Sequence, residues 1–137
     1  MLNLRTLAIV PLMWCLDAVA SPPSSGTVKA PQVVPVMTRA LPDYPGKEVL
    51  MITVEYPPGG ADPVHRHDAH GFIYVLEGSI VMGVAGGKEV TLGAGQSFYE
   101  GPADLHTVGR NASATEPARF LVFLLKDSGK AAVIPAP

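Results

Sequence analysis

The sequence predicts an all-β protein in which short antiparallel strands form one sandwich or barrel. Glycine and proline each occur 14 times among 137 residues, which is typical of a fold with frequent turns. About eight to ten short segments have strand character, and turn residues separate them at intervals of about eight to twelve residues. No segment combines a sustained helical hydrophobic period with capping residues, so we expect no long helices.

Length and composition limit both the size of the fold and the kind of partner. A chain of 137 residues can form one domain with a hydrophobic core but is too short for two. Hydrophobic residues make up 47% of the chain, which is enough for a packed interior. The formal net charge is −2, so no basic field is present and we expect no nucleic-acid partner.

Residues 1–20 have the pattern of a signal peptide. A basic residue precedes a short apolar run, and Ala18 and Ala20 give the small residues that a signal peptidase needs for cleavage before Ser21. The alternative is a buried N-terminal helix, against which Pro11 counts. We therefore predict an exported protein, periplasmic or extracellular, with no stable membrane insertion after cleavage.

The remaining chain divides into three predicted parts. Residues 21–35 are rich in Pro and Ser and should form a tether that buries little surface. The β-barrel domain is expected at 36–126, and residues 127–137 should form a C-terminal tail. Cleavage after residue 20 would also remove the only cysteine, Cys15, so the mature protein would contain no disulfide.

Hydrophobic alternation and turn residues mark the individual strands of the predicted barrel. Residues 47–56 alternate strictly, which indicates a strand with one buried face. A short segment follows around 64–67, and the β-branched and aromatic content of 72–78 marks a buried strand. The further strands are expected, in chain order, at 79–84, 89–92, 97–100, 106–108 and 118–126.

Three of the four histidines fall within six residues, and two of them are placed to bind the same metal ion. Side chains two positions apart on a strand project from the same face, so His65 and His67 should point the same way. His106 begins another short strand, which can lie beside the first in a closed barrel. Neutral imidazole suits Fe, Mn, Ni, Cu or Zn. The alternative is that each histidine is an exposed or structural residue, and spacing alone leaves both open.

Two motifs in this region resemble those of the cupin superfamily. The first is Gly59-x5-His65-x-His67, with Gly78 eleven residues later. The second is Gly95-x6-Pro102-x3-His106-x4-Asn111. The resemblance implies a single antiparallel jelly-roll β-barrel that binds one divalent transition metal in its mouth. It also implies that His65, His67 and His106 are metal ligands.

The chain departs from this resemblance at one ligand position. The usual pattern has a Glu seven residues before the glycine that corresponds to Gly78, and that position is Gly71 here. We expect His70 to supply the fourth ligand, which requires an irregular backbone near it, because a regular strand would turn it the opposite way. The alternatives are Glu100, or no fourth ligand from the protein.

Two further residues are candidates for a catalytic role. Tyr74 is expected to line the cavity and orient a substrate, although aromatic residues in barrel strands more often belong to the core. Glu100 lies near His106 in the sequence and is a candidate proton shuttle. The alternative for Glu100 is an exposed carboxylate at a turn.

The favoured hypothesis is an exported cupin that uses one divalent transition metal to act on a small molecule. Oxidation with dioxygen is the first reaction considered, followed by isomerisation or decarboxylation. The alternatives are a module that binds a metal or small ligand without turnover, and a barrel of the same fold without a metal. Small barrels with exposed edge strands often pair, so a homodimer is also expected.

Overall fold

The structure is a computed structural model that describes residues 28–136. It confirms the predicted all-β fold, since this part of the chain forms two five-stranded antiparallel sheets and contains no helix. The two sheets together make the antiparallel jelly roll. The predicted signal peptide, and the predicted tether as far as residue 27, lie outside the described residues.

The ten strands of the described residues are divided between the two sheets in an order that brings distant parts of the sequence together. One sheet has the order β1-β2-β9-β4-β7 and the other has the order β10-β3-β8-β5-β6. The strands are β1 (Gln32–Ala40), β2 (Lys47–Tyr56), β3 (His65–Arg66), β4 (His70–Glu77), β5 (Ser79–Val84), β6 (Val90–Gly93), β7 (Ser97–Glu100), β8 (His106–Asn111), β9 (Ala118–Asp127) and β10 (Ile134–Pro135).

The core lies between the sheets and is made by the alternate residues that point inward. On β2 and β9 the paired positions Ile52 and Val122, and Val54 and Phe120, face the interior together. Ile73 on β4 packs into the same cluster. Each fully buried aliphatic side chain contributes about 1.5–3 kcal/mol to folding, so this apolar face fixes which side of every strand points inward.

Two boundaries differ from those expected. β1 begins at Gln32, so the last residues of the predicted tether (21–35) already belong to the sheet. β10 lies within the predicted tail (127–137) and pairs with β3, where Pro135 is opposite His65. Both are edge strands, in which proline is tolerated because no partner needs its missing N–H. The proline in each strand, and the two-residue length of β10, weakened the strand signal in the sequence.

β1 is exposed along its whole length, and within residues 28–136 no strand pairs with its outer edge. Unpaired sheet edges can pair with a second copy of a chain. The homodimer expected from the sequence stays a prediction.

Candidate metal centre

Short strand β3 directs two histidines into the barrel. His65 and His67 are buried and the intervening Arg66 is exposed, as expected for residues two apart in extended chain. The two rings meet edge to face with centroids 4.7 Å apart. Their Nε2 atoms lie 3.1 Å from each other. The short spacing of the pair therefore gives two imidazole nitrogens at one point.

His106 joins this pair through strand pairing. β3 and β8 are neighbours, and His65 is directly opposite His106 in their antiparallel register. The centroids of these two rings are 4.8 Å apart, and His106 is 3% exposed. One donor nitrogen from each of the three histidines lies within 4.8 Å of the other two. The structure thus brings together His65, His67 and His106, as the sequence predicted.

Each of the three rings is held by a backbone carbonyl on its outer side. Nδ1 of His65 donates to the carbonyl oxygen of Pro63 at 2.8 Å, and Nδ1 of His67 donates to that of Ala132 at 2.5 Å. Nε2 of His106 donates to the carbonyl oxygen of Val108 at 2.7 Å. Because a carbonyl can only accept, these nitrogens carry the ring protons. The other nitrogen of each ring then presents a lone pair to the interior, as ligands of metals do.

A buried carboxylate lies beside these nitrogens. Glu100, at the end of β7, is 3% exposed. Its Oε1 lies 3.1 Å from Nε2 of His67, and its Oε2 lies 3.6 Å from Nδ1 of His106. The side chain that the sequence offered as an alternative fourth ligand therefore lies beside two of the three histidines, His67 and His106.

Glu100 can reach this point because the residue opposite it has no side chain. β4 and β7 pair so that Gly71 faces Glu100. A Cβ atom on Gly71 would lie 2.8 Å from Cγ of Glu100, which is closer than real Cβ contacts. The carboxylate thus enters the site from β7, whereas the family resemblance expects it at position 71 on the neighbouring strand β4.

The site fits a metal ion. Nδ1 of His106 is buried and has no hydrogen-bond partner, which is rare for a buried polar atom. The facing Nε2 atoms of His65 and His67 repel each other unless a cation or proton lies between them. Two donors that are each about 2.1 Å from one metal ion, at a right angle, lie about 3.0 Å apart. The 3.1 Å separations in the site match this spacing.

Burial and the Glu100 carboxylate set the protonation of the site. Burial by itself would lower the pKa of His67, but the hydrogen bond to Glu100 and the Ala132 carbonyl outweigh it, so the pKa lies above its usual value. Burial would raise the pKa of Glu100, but the His67 hydrogen bond and the neighbouring histidines hold it below its usual value. For His106, burial lowers the pKa. The Glu100 carboxylate thus favours the protonated form of His67, and a metal ion would compete with that proton.

The structure does not bring His70 to the other histidines. β4 is regular from His70 to Val75, so His70 points to the outer face while its neighbour Gly71 points inward. Nδ1 of His70 lies 2.7 Å from the hydroxyl of Tyr99, and both side chains are exposed. The irregular backbone that would have turned His70 inward is absent from this stretch. Glu100, and not His70, is the further side chain that lies beside the buried histidines.

Tyr74 is also on the outer face and does not line the cavity. It is on the same side of β4 as His70, and 48% of it is exposed. Strand alternation explains the placement, because the inward positions on either side of it are Ile73 and Val75. The structure therefore gives Tyr74 no contact with the histidines.

Asp62 is a residue of this region that the sequence analysis missed. It lines the cavity next to the histidines and accepts a hydrogen bond from the hydroxyl of the fully buried Tyr56. Its position between the motif glycine Gly59 and His65 could have drawn attention to it, since it is the only carboxylate in that interval.

Comparison with known proteins assigns the fold to a family. Residues 52–124, more than half of the chain, match the family described as Cupin domain. The chain belongs to the cupin family. Among curated proteins, none matches this cupin. In the part of the cupin that the structure describes, no helix has the length and apolar character needed to cross a membrane.

Several solved structures are similar to this cupin. A double-stranded β-helix protein from Klebsiella pneumoniae has 19% identity and a TM-score of 0.61, with 84% of this chain and 90% of that chain covered. An oxalate oxidase has 22% identity and a TM-score of 0.59, with 82% and 63% covered. The DMSP lyase DddQ from Ruegeria pomeroyi has 22% identity and a TM-score of 0.56, with 64% and 43% covered. At these identities the similarity shows the fold, and the chain spans less than two thirds of the two enzymes.

The outward position of His70 predicts that its removal leaves metal affinity unchanged. We expect His70→Ala to bind Zn²⁺ within about twofold of the parent protein, because His70 lies on the outer face against Tyr99. Even the loss of a residue that only orients a metal ligand typically costs about tenfold or more. His67→Ala, which removes a buried inner nitrogen, should weaken binding by about a hundredfold or more. Competition with a chelator of known affinity measures both. A large loss in His70→Ala would contradict the ligand set.

The raised pKa of His67 predicts a pH-dependent metal affinity. Below that pKa the proton on His67 competes with the metal, so affinity should rise by about tenfold per pH unit as the pH increases and then level off above it. Glu100→Gln removes the carboxylate that raises this pKa. We therefore expect the Zn²⁺ affinity of Glu100→Gln to level off at a lower pH than that of the parent protein, even though this variant binds Zn²⁺ more weakly at every pH. Zn²⁺ titrations at a series of pH values test this, and a levelling point that does not move contradicts it.

Proposed function

We propose that this cupin binds one divalent transition metal through His65, His67, His106 and Glu100 and acts on a small molecule at that metal. The observation that carries the proposal is the buried cluster of three inward imidazole nitrogens that lie within 4.8 Å of one another. The Glu100 carboxylate lies 3.1 Å from Nε2 of His67 and 3.6 Å from Nδ1 of His106. The orphaned Nδ1 of His106 supports it, because a buried nitrogen needs a partner.

The charge of the donor set suits a divalent ion. Three neutral imidazoles and one carboxylate offset half of the ion's charge, whereas three or four histidines alone would offset none of it. Imidazole with a carboxylate suits Fe, Mn, Ni, Cu and Zn, in keeping with the range expected from the sequence. The carboxylate missing from position 71 is therefore replaced rather than lost.

The proposed chemistry is oxidation of a small molecule with dioxygen. A bound transition metal would supply Lewis acidity and, for a redox-active ion, reactivity with dioxygen. The chain's own part is to hold the donors through backbone carbonyls and to exclude water with the apolar core around them. Asp62 lines the same cavity and accepts a hydrogen bond from Tyr56. Similar structures include an oxalate oxidase and a DMSP lyase, whose names indicate small-molecule substrates.

Exchanging Gly71 and Glu100, which face each other on β4 and β7, tests the metal site. Glu100→Gly should lose metal affinity by about a hundredfold, since a ligand is removed. Gly71→Glu alone should destabilise the fold, because its Cβ meets the Glu100 side chain and two carboxylates then share one buried site. The double variant Gly71→Glu with Glu100→Gly should bind Zn²⁺ within about tenfold of the parent protein, because the carboxylate returns from the opposite strand.

Gly93→Glu is the matched control for adding a carboxylate to a strand glycine. A Cβ there would have only Gln96 within 4 Å, at 3.8 Å, so metal affinity should not change. The metal site proposed here is wrong if Glu100→Gly keeps the parent affinity, or if the double variant binds no better than Glu100→Gly. Affinity is measured by chelator competition, and circular dichroism shows whether each variant keeps its sheets.

Spectroscopy under nitrogen and under air tests the oxidation. The protein is loaded with ferrous iron under nitrogen, and we expect its absorption spectrum to change when air is admitted. The same experiment on His67→Ala corrects for oxidation of iron outside the site, and this variant should show only that background. A spectrum that air leaves unchanged, with the metal still bound, would support the alternative of a binding module without turnover.

We also propose that the protein is exported and that its mature form begins at Ser21. The support is the sequence pattern of residues 1–20. Mass spectrometry of the protein recovered from outside the cytoplasm should give a chain that starts at or near Ser21 and lacks Cys15. An intact segment from Met1 to Ala20 in that material would contradict export by this route.

A further inference from the structure

A cavity of about 310 Å³ lies between the sheets, directly beside the histidines and Glu100. This volume is at the lower end of the range for small-molecule sites. Most of its wall is made of aliphatic and aromatic side chains from the inward faces of the strands, including Leu50, Ile52, Val54, Ile73, Phe120 and Val122. The proposed metal donors and Asp62 form its polar part.

The charges in this wall would reject an anion. Within the described part of the chain, the residues that line the cavity include two carboxylates, Asp62 and Glu100, but no lysine or arginine. An anionic ligand would therefore meet two negative side chains and no positive one apart from protonated histidine or a metal. Beside the buried Glu100 carboxylate such like-charge contacts are less screened than in water, and a desolvated anion without a cationic partner is costly.

The mouth of the cavity extends the apolar wall to the surface. Val33 of β1 and Val133 near β10 both line it, yet they are 53% and 48% exposed. Pro35 and Ala132 lie beside them in the wall. Both ends of the described chain thus contribute apolar residues to the entrance, where a polar ligand would find few hydrogen-bond partners.

From these observations we infer that the cavity takes an uncharged, largely apolar small molecule, of the size of a one- or two-ring aromatic compound, with its polar group toward the histidines. This inference rests on the proposed function, because it names the substrate class of the same site. It excludes small carboxylates as the preferred ligands.

Two compounds of the same shape and different charge test the inference. Methyl naphthyl ketone is neutral, and naphthoate replaces its acetyl group with a carboxylate of similar size. Binding of each is measured by calorimetry to the mature protein loaded with Zn²⁺, and again without metal. Without metal we expect the ketone to bind at least about tenfold more tightly, because only naphthoate meets the two carboxylates Asp62 and Glu100. Bound Zn²⁺ gives naphthoate a cationic partner, but the two carboxylates offset both of its charges, so the preference for the ketone should narrow without reversing.

An arginine in place of Val33, at the mouth of the cavity, should weaken the preference for the neutral compound. An arginine in place of the adjacent Val34 should not. Val33 lines the cavity, whereas the adjacent Val34 points to the other face of β1 and is 57% exposed. Val33→Arg should tighten naphthoate binding by about tenfold or more, because the new charge lies at the entrance. Val34→Arg adds the same charge outside the cavity and should stay within about twofold of the parent protein.

The inference is overturned if naphthoate binds the Zn²⁺-loaded protein as tightly as the ketone, or if the ketone does not bind. It is also overturned if Val33→Arg and Val34→Arg change naphthoate binding equally. The proposed function fails separately, if Zn²⁺ does not bind. In that case the measurements without metal still decide whether the cavity prefers the neutral compound.

Discussion

The absence of a side chain at Gly71 is the constraint on which the site depends. Glu100 is directly opposite on the neighbouring strand, and its Cγ occupies the space in which a Cβ on residue 71 would lie. Only a glycine at that position allows the carboxylate to lie beside His67 and His106. The two residues therefore act as a pair, with the charge on one strand and the space for it on the other. Their pairing lets the chain depart from the usual ligand position while keeping a carboxylate at the histidines.

The rest of the barrel keeps that pair and the histidines in place. The buried apolar faces of β2, β4 and β9 fix which residues of each strand point inward, and a shift of one residue would turn every side chain to the other face. β3 lies between β8 and β10, which sets His65 opposite His106 and brings the Ala132 carbonyl to His67. A buried carboxylate beside histidines is costly without a balancing charge. A divalent ion would provide that charge. The buried polar cluster therefore favours metal binding and does not stabilise the metal-free fold.

Much of this arrangement could be predicted from the sequence, because alternation and spacing are local signals. The pattern of residues 47–56 gave the bounds of β2, and the two-residue spacing gave the common direction of His65 and His67. The errors arose where the tertiary context decides. His70 was expected to turn inward, but β4 stays regular there because it is paired on both sides, to β9 and to β7. No local pattern in the sequence shows that Glu100 faces Gly71, since the register of two distant strands is a property of the whole sheet.

A crystal structure of the metal-loaded protein, with anomalous scattering data collected at the absorption edge of the metal, tests the central claim most directly. We expect one metal ion with Nε2 of His65, Nε2 of His67, Nδ1 of His106 and one carboxylate oxygen of Glu100 at about 2.0–2.3 Å. We also expect His70 to remain on the outer face beside Tyr99. A metal ion bound by His70, or bound by the three histidines with Glu100 turned away, would contradict it.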